Sequence, residues 1–232
     1  MLTGPVIGSL AAIPFFAGLD EAALGRVAAG MRSRRFRRGE VIFHLGDPGD
    51  ALFVIVSGEV KISLPSETGD EAILATLGPG AVFGELALLD GAPRSASATA
   101  ISAAETVVLP RDRFRELIAT EPGVRDALLA SIAGELRRLT THVEELHFLD
   151  ITGRLAARLV RLSQESGVVV AADGSIRLRH NLTQGDLAAM VGCTRQSVNK
   201  LLGQFADDGS IRLEREGIVI IDLDGLVATS RR

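Results

Sequence analysis

Apolar residues recur along this chain in three rhythms. Between residues 19 and 31, Ala23, Leu24, Val27 and Ala28 fall at helical spacing behind Asp20, whose carboxylate suits a helix N-cap. From residue 36 to 110 the rhythm shortens. Apolar runs at Val41–Phe43, Leu52–Val56, Val60–Leu64, Ala72–Leu77 and Thr106–Leu109 are punctuated by Gly46-Asp47-Pro48-Gly49, Ser57-Gly58, Thr68-Gly69-Asp70 and Gly78-Pro79-Gly80. Short strands at near-regular spacing, separated by turn residues, predict a small barrel or roll.

The third rhythm starts beyond Pro122, which suits the first turn of a helix. Ile132, Leu136, Leu139, Val143 and Leu146 are spaced 4, 3, 4 and 3 residues apart. That narrow row predicts one long helix over 122–148 and the seam of a two-stranded coiled coil. The alternative is an amphipathic helix packed on its own roll, which ordinarily shows a broader apolar face.

Further on, Ile151–Ser166 reads as a helix with Leu155, Leu159 and Leu162 apolar and Arg154, Arg158 and Arg161 basic. Val168–Ala171 and Ser175–Arg179 read as two strands joined by Asp173-Gly174, a hairpin signal. Two short helical patterns follow, 183–191 and 194–206. A β-like stretch then runs from Ile211 to Asp222, with a turn at Glu216-Gly217. The fold class is therefore α+β: an N-terminal β-roll over 1–121, a long dimerisation helix over 122–148, and a C-terminal winged helix-turn-helix over 149–232.

Charge refines this division. The 232 residues carry a net charge of −4, but residues 149–232 hold 11 Lys/Arg against 10 Asp/Glu, whereas the rest holds 14 against 19. The C-terminal part is the less acidic one, and any nucleic-acid contact must come from local basic clusters. With no Trp or Tyr, aromatic stacking is left to nine Phe. A single cysteine, Cys193, excludes an intramolecular disulfide and a four-cysteine cluster, and reads as small core filler. His44, His142, His147 and His180 show no metal-ligand spacing, and neither a Ser/His/Asp nor a Walker arrangement stands out, so a metal site and an enzyme are not expected. The apolar N-terminus is interrupted by Pro5 and Pro14, and its first basic residue is Arg26, unlike a signal peptide. No apolar run approaches the roughly 20 residues of a membrane span. A cytoplasmic protein without a membrane partner is expected.

Two segments carry chemistry. In Leu182–Phe205, Thr183 can cap a first helix whose buried face is Leu187, Ala188 and Val191. Gly192 suits the tight turn, and Thr194 can cap a second helix that buries Val198, Leu201 and Leu202. The opposite face presents Arg195, Gln196, Asn199 and Lys200. Arginine forks onto guanine, glutamine onto adenine, and the Thr194 and Ser197 hydroxyls suit phosphates. A plain helical hairpin with a solvated face is the alternative.

The second segment is residues 83–100, FGELALLDGAPRSASATA. Gly84 lets the backbone approach an anion, a short helical turn at Glu85–Leu88 aims amides such as that of Leu86 at it, and Ser95 adds a donor. Arg94 supplies a permanently charged fork. Glu85 would repel a phosphate but can accept from a ribose 2′-hydroxyl. A β-turn with a surface Glu–Arg salt bridge is the alternative.

Both segments resemble the cyclic AMP receptor protein and fumarate–nitrate reductase regulator (CRP/FNR) family. The FGE-L-A-L and P-R-S-A residues resemble its phosphate-binding cassette, and C-T-R-Q-S-V resembles its recognition helix. Phe148-Leu149-Asp150-Ile151-Thr152-Gly153-Arg154 resembles its hinge, and Ile13-Pro14-Phe15-Phe16-Ala17-Gly18-Leu19 its N-terminal entry. The resemblance implies a cyclic nucleotide, cyclic AMP first, as an allosteric ligand with no covalent cofactor. It implies ligand contacts at Gly84, Glu85, Leu86, Arg94 and Ser95, with the base capped by Val60, Ile62 and Leu77. It implies base reading by Arg195, Gln196 and Lys200, and phosphate contacts at Thr152, Gln184, Thr194 and Ser197. The partners implied are pseudo-palindromic duplex DNA and a second copy of the chain, with RNA polymerase as a further one.

Two departures bear on this. The family's adenine-contacting pair falls on Leu139 and Thr140. Leu139 cannot hydrogen-bond a base, so Thr140, or Thr141 beside it, is left to do so. Gln196 stands where the family commonly has Glu, which predicts an altered base preference. A ligand-independent regulator, and a regulatory subunit acting on a protein partner, are the rival readings.

Overall fold

The computed structural model describes residues 13–67, 69–164, 169–171, 173–178, 182–214 and 217–231. Expectations resting on Pro5, Thr68, Val168, Arg179, His180 and Glu216 lie outside the described residues. The chain divides into two compact units, residues 1–137 and 138–232.

In the first unit a 3₁₀ turn at Pro14–Phe16 leads into α1, Glu21–Ala29. Asp20 caps α1, its carboxylate accepting from the Ala23 amide at 2.7 Å. Eight strands follow: β1 Arg32–Phe36, β2 Val41–Phe43, β3 Ala51–Ser57, β4 Val60–Pro65, β5 Glu71–Leu77, β6 Val82–Phe83, β7 Ser97–Ala100 and β8 Ala104–Pro110. They form two antiparallel four-stranded sheets, ordered β1-β8-β3-β6 and β2-β7-β4-β5.

The period of two splits their side chains between two cores. Phe36, Phe53, Ile55, Val60, Phe83, Ala98 and Ala100 form one cluster. Leu52, Val54, Val107 and Leu109 join a second one with Phe15, Phe16, Leu24, Phe114 and Leu117. β1 was not predicted, because RSRRF shows no apolar alternation. Its first four residues are exposed and only Phe36 is buried, as suits a charged edge strand.

Between β6 and β7 lies α2, Leu86–Asp90, and after β8 comes α3, Arg111–Thr120. α3 was not predicted; Phe114 and Leu117 are fully buried and Ile118 packs on the same core, a short helical row among charges. α4 runs unbroken over Pro122–Phe148, the span expected for the long helix. Its apolar row changes surroundings along the helix. Val124 and Leu128 are buried and Ile132 packs against the same core. Beyond them Leu136 is 65% exposed, and Val143 and Leu146 are exposed as well.

In the second unit, Asp150 caps α5, Ile151–Leu162, by accepting from the Gly153 amide at 2.7 Å. α5 stops four residues before the expected Ser166. β9 Val169–Val170, β10 Ile176–Leu178, β11 Ile211–Glu214 and β12 Gly217–Ile220 form a sheet ordered β11-β12-β10-β9. α6 Gln184–Val191 and α7 Arg195–Asp207 pack on α5 around Leu155, Leu159, Leu187, Val198, Leu202 and Phe205.

The β-like stretch ends earlier than expected. Asp222 is not strand but the cap of a last helix, α8 Leu223–Thr229, accepting from the Gly225 amide at 2.9 Å. Leu226 is the fully buried residue of α8 and Leu223 packs against the same core, and two anchors give no legible period. Among the described residues no helix is long and apolar enough to cross a membrane, and no cluster of metal-ligand side chains occurs.

Candidate ligand cassette and nucleic-acid interface

The cassette is built around one buried cation. Arg94 is 3% exposed. Its main chain is fixed first: the amide donates to the Asp47 carbonyl at 2.8 Å, and the carbonyl accepts from the Gly46 amide at 2.9 Å. Its guanidinium then turns inward. Nη1 donates to the Gly84 carbonyl at 2.6 Å and Nη2 to the Ala51 carbonyl at 2.8 Å. The Asp50 carboxylate lies 3.7 Å from Nη2 but is itself 90% exposed, so it is a loose partner.

The guanidinium plane also rests on aromatic faces. Its central carbon is 4.3 Å from the Phe43 ring centroid and 5.7 Å from that of Phe53. Phe53 stacks on Phe83 at 5.1 Å. Burial draws the Arg94 pKa down, while Asp50 and Glu85 oppose the shift. An arginine starts so high that it keeps its charge at neutral pH. The surface Glu–Arg salt bridge is thus not what forms: Arg94 is held by carbonyls and rings.

Nε of Arg94 is buried and has no hydrogen-bond partner. A buried N–H on a full positive charge is costly to leave unpaired. Gly84 is what admits the fork. Its φ is +81°, and a Cβ there would stand 2.5 Å from Nη1 of Arg94. Side chains are disfavoured at that φ and would collide with the cation.

Glu85 follows directly. Burial raises its carboxyl pKa, against the lowering effects of its own amide and the Arg94 charge. It caps no amide of α2 and ends half-buried. Leu86 and Ser95 are exposed. Of the expected base-capping residues, Ile62 and Leu77 are half-buried on β4 and β5. Val60, paired with Leu77, is fully buried in the core. All three lie in the cluster that also holds Phe43 and Phe53. Thr140 is exposed on α4.

Sequence reasoning missed a second arginine. Arg111, at the start of α3, donates through Nε to the Gly49 carbonyl at 3.2 Å and through Nη2 to the Ala87 carbonyl at 3.0 Å. Its amide donates to the Asp50 carbonyl at 2.8 Å. It therefore ties α2 to the turn before β3, which carries Asp50 and Ala51. That junction is tight: a Cβ on Gly49 would lie 2.3 Å from the Cβ of Ala87. The turn Gly46-Asp47-Pro48-Gly49 was read only as punctuation between strands. Nothing local in a sequence tells a turn that receives hydrogen bonds from distant arginines from one that does not.

The reader segment, in contrast, forms as its local signals dictate. The Thr183 hydroxyl accepts from the Asp186 amide at 3.1 Å, and Asp186 accepts from the Thr183 amide at 2.8 Å, a reciprocal capping box. Gly192 ends α6 at φ +71°. The Thr194 hydroxyl accepts from the Ser197 amide at 3.1 Å and lies 2.9 Å from the Ser197 hydroxyl. Arg195, Gln196, Asn199 and Lys200 are exposed on α7, opposite buried Val198 and Leu202. Gln184 bridges the two helices, its amide donating to Asn199 at 3.4 Å, and together with Arg195 and Gln196 these residues line one shallow concavity. Thr152 stands half-buried in the first turn of α5, on a separate helix. Cys193 is half-buried beside the same core.

Comparison with known proteins follows the same division. Residues 33–121 match the family model described as the cyclic nucleotide-binding domain, and residues 153–229 the Crp-like helix-turn-helix domain. The chain is 38% identical over 222 residues to a CRP-like cAMP-activated global transcriptional regulator of Mycobacterium tuberculosis, covering 96% of this chain and 98% of that one. Among solved structures, the c-di-GMP responsive global regulator CLP of Xanthomonas campestris matches with a TM-score of 0.77 at 25% identity, over 87% of this chain and 99% of that one. A CRP/FNR family transcriptional regulator of Thermus thermophilus matches with a TM-score of 0.69 at 30% identity, over 87% and 99%.

Proposed function

The chain belongs to the CRP/FNR family of transcription regulators, and within it we propose a homodimeric, cytoplasmic, DNA-binding regulator gated by a cyclic nucleotide. The cyclic phosphate is bound at Gly84, Arg94 and Ser95, with the Leu86 amide beside them, and Glu85 accepts from the sugar. The observation that carries this is the Nε–H of Arg94, buried on a full positive charge with no acceptor. An oxyanion satisfies that donor together with the one Nη hydrogen on the same edge of the planar fork. The fit is chemical: a buried cation, a glycine at positive φ and a carboxylate with a raised pKa suit a phosphate joined to a hydroxyl-bearing sugar.

Cyclic AMP is the first candidate, as for the Mycobacterium relative named cAMP-activated. The Xanthomonas regulator is named for response to a cyclic dinucleotide, and Leu139 offers no hydrogen bond to an adenine, so the base is the open variable. Leu136, Leu139, Val143 and Leu146 form the dimer seam. Arg195, Gln196 and Lys200 read bases, and Thr152, Gln184, Thr194 and Ser197 hold phosphates of a pseudo-palindromic site. RNA polymerase is the downstream partner. The ligand acts by its differential affinity for two arrangements of the dimer, and only by that.

A ligand-independent scaffold is the second reading, favoured by one observation. Gly84 and Ala51 already hold both Nη groups of Arg94 by themselves. A thermal-shift panel of cyclic mono- and dinucleotides separates the two readings. Gating predicts that at least one raises the unfolding temperature, and that Arg94→Lys abolishes the rise. A panel without any shift favours the scaffold.

A further inference from the structure

Hydrogen bonds alone do not aim the Arg94 fork. The Gly84 and Ala51 carbonyls fix where Nη1 and Nη2 lie. A carbonyl oxygen accepts over a broad range of directions, so the guanidinium plane can still tilt about the line through those two atoms. That tilt decides where the unpartnered Nε–H points. A flat aromatic face restricts it, because a guanidinium stacks on a ring through its own plane.

Phe43 supplies that face. Its ring centroid lies 4.3 Å from the central guanidinium carbon, against 5.7 Å for Phe53, so Phe43 is the closer ring. The ring is backed in its turn. Phe53 and Phe83, both buried, come from the other sheet, and their centroids stand 5.7 and 5.9 Å from that of Phe43.

The backbone around Phe43 is shaped to the same end. The pairing of β2 with β7 shifts register between Val41 and Phe43: Val41 pairs with Thr99, and Phe43 with Ala98. An irregularity of this kind re-aims a side chain. The residues that follow close a turn. The His44 amide donates to the Asp47 carboxylate at 2.8 Å, and the Asp47 amide to the His44 carbonyl at 3.2 Å. The main chain of Arg94 hangs from the same turn, through the Gly46 amide and the Asp47 carbonyl. Ring and fork are thus held by one short stretch of chain. Core filling asks only for apolar volume, and Phe43 is half-buried at the margin of its cluster.

We infer that Phe43 is a positioning residue: its ring sets the tilt of the Arg94 guanidinium, and so selects which of the two exocyclic oxygens of a cyclic phosphate the Nε edge takes. This rests on the nucleotide reading above.

The Sp and Rp phosphorothioates of cyclic AMP each carry sulfur in place of one of those oxygens. Calorimetry on the full-length chain gives Kd for cyclic AMP and for both phosphorothioates, in the wild type, Phe43→Leu and Phe43→Tyr. The wild type is expected to favour one diastereomer by about tenfold. Phe43→Leu is expected to bind cyclic AMP about tenfold more weakly and to keep a preference of about twofold at most. Phe43→Tyr, which retains the aromatic face, keeps both affinity and preference. The preference is a ratio within one protein, so a smaller folded fraction cancels from it. If Phe43→Leu does not fold, Phe43→Met, which refills the space without a ring, takes its place.

A Phe43→Leu variant that binds more weakly but keeps the wild-type preference overturns the inference, because the ring then serves packing alone. A gain of affinity in that variant overturns it too, since the ring would then compete with the anion. So does a Phe43→Tyr variant that loses the preference as fully as Phe43→Leu. A wild type that binds both diastereomers equally well overturns the inference and leaves the nucleotide reading standing. A wild type that takes up none of the three overturns the cyclic AMP reading, and this inference with it.

Discussion

The ligand cassette and the reader helix handle charge in opposite ways. At the cassette a cation is buried, stacked on Phe43 and Phe53, and bonded to the carbonyls of Gly84 and Ala51. At the reader helix Arg195, Gln196 and Lys200 stand in solvent above an apolar core that does not need them. One surface couples binding to the integrity of the fold; the other can change what it reads at almost no structural cost.

Substitutions should therefore behave differently on the two surfaces. The largest effect is expected at Arg94. Arg94→Leu strands two carbonyls and removes a buried charge, so a loss of about 2–4 kcal/mol in unfolding free energy should accompany loss of nucleotide binding. Chemical denaturation and calorimetry measure the two. A variant of full stability would mean that the guanidinium does not hold the cassette. Next comes Gly84→Ala, which meets both the positive φ and Nη1 of Arg94. About 1–3 kcal/mol of strain is expected, again with loss of ligand affinity.

At the reader helix the pattern inverts. Arg195→Ala should cost about 1–3 kcal/mol in operator binding, relax specificity at one base pair, and leave unfolding and nucleotide binding unchanged. A drop in stability comparable to that of Arg94→Leu would erase the contrast.

This contrast also explains what was legible in the sequence. Thr183, Gly192 and Thr194 act on residues within a few positions, so the helix-turn-helix follows from local caps and a turn. The cassette was legible as a motif but not as a geometry. Arg94 takes its partners from residues 43–53 and from Gly84, and Arg111 supports it from β8's far end; each is a pairing of distant segments. The edge strand β1 and the helices α3 and α8 escaped for a related reason. Each offers one to three apolar anchors, a short row to set against its polar neighbours.

A smaller effect is expected from pH. Burial raises the Glu85 pKa, and its ionised form is the one that accepts from a sugar hydroxyl. Nucleotide affinity should therefore weaken as pH falls through that raised pKa, starting above the usual carboxylate range. Over the same interval folding stability should rise as pH falls, because the folded state then binds more protons than the unfolded one. Calorimetry across pH with Glu85→Gln, which should show neither trend, checks the assignment. The smallest change is at Gln196. Gln196→Glu should leave overall affinity nearly intact and shift preference at one base pair toward a cytosine whose N4 the carboxylate can accept from. Selection from random duplexes would show identical preferences if Gln196 reads no base.

The central claim is that a nucleotide bound at Arg94 changes how the reader helices engage DNA. Fluorescence anisotropy of a labelled operator duplex, followed as cyclic AMP and cyclic di-GMP are titrated in, tests it directly. For the wild type one of the two is expected to raise operator affinity, and Arg94→Lys is expected to stay flat throughout. Operator affinity that is high and indifferent to both nucleotides in the wild type would contradict the account.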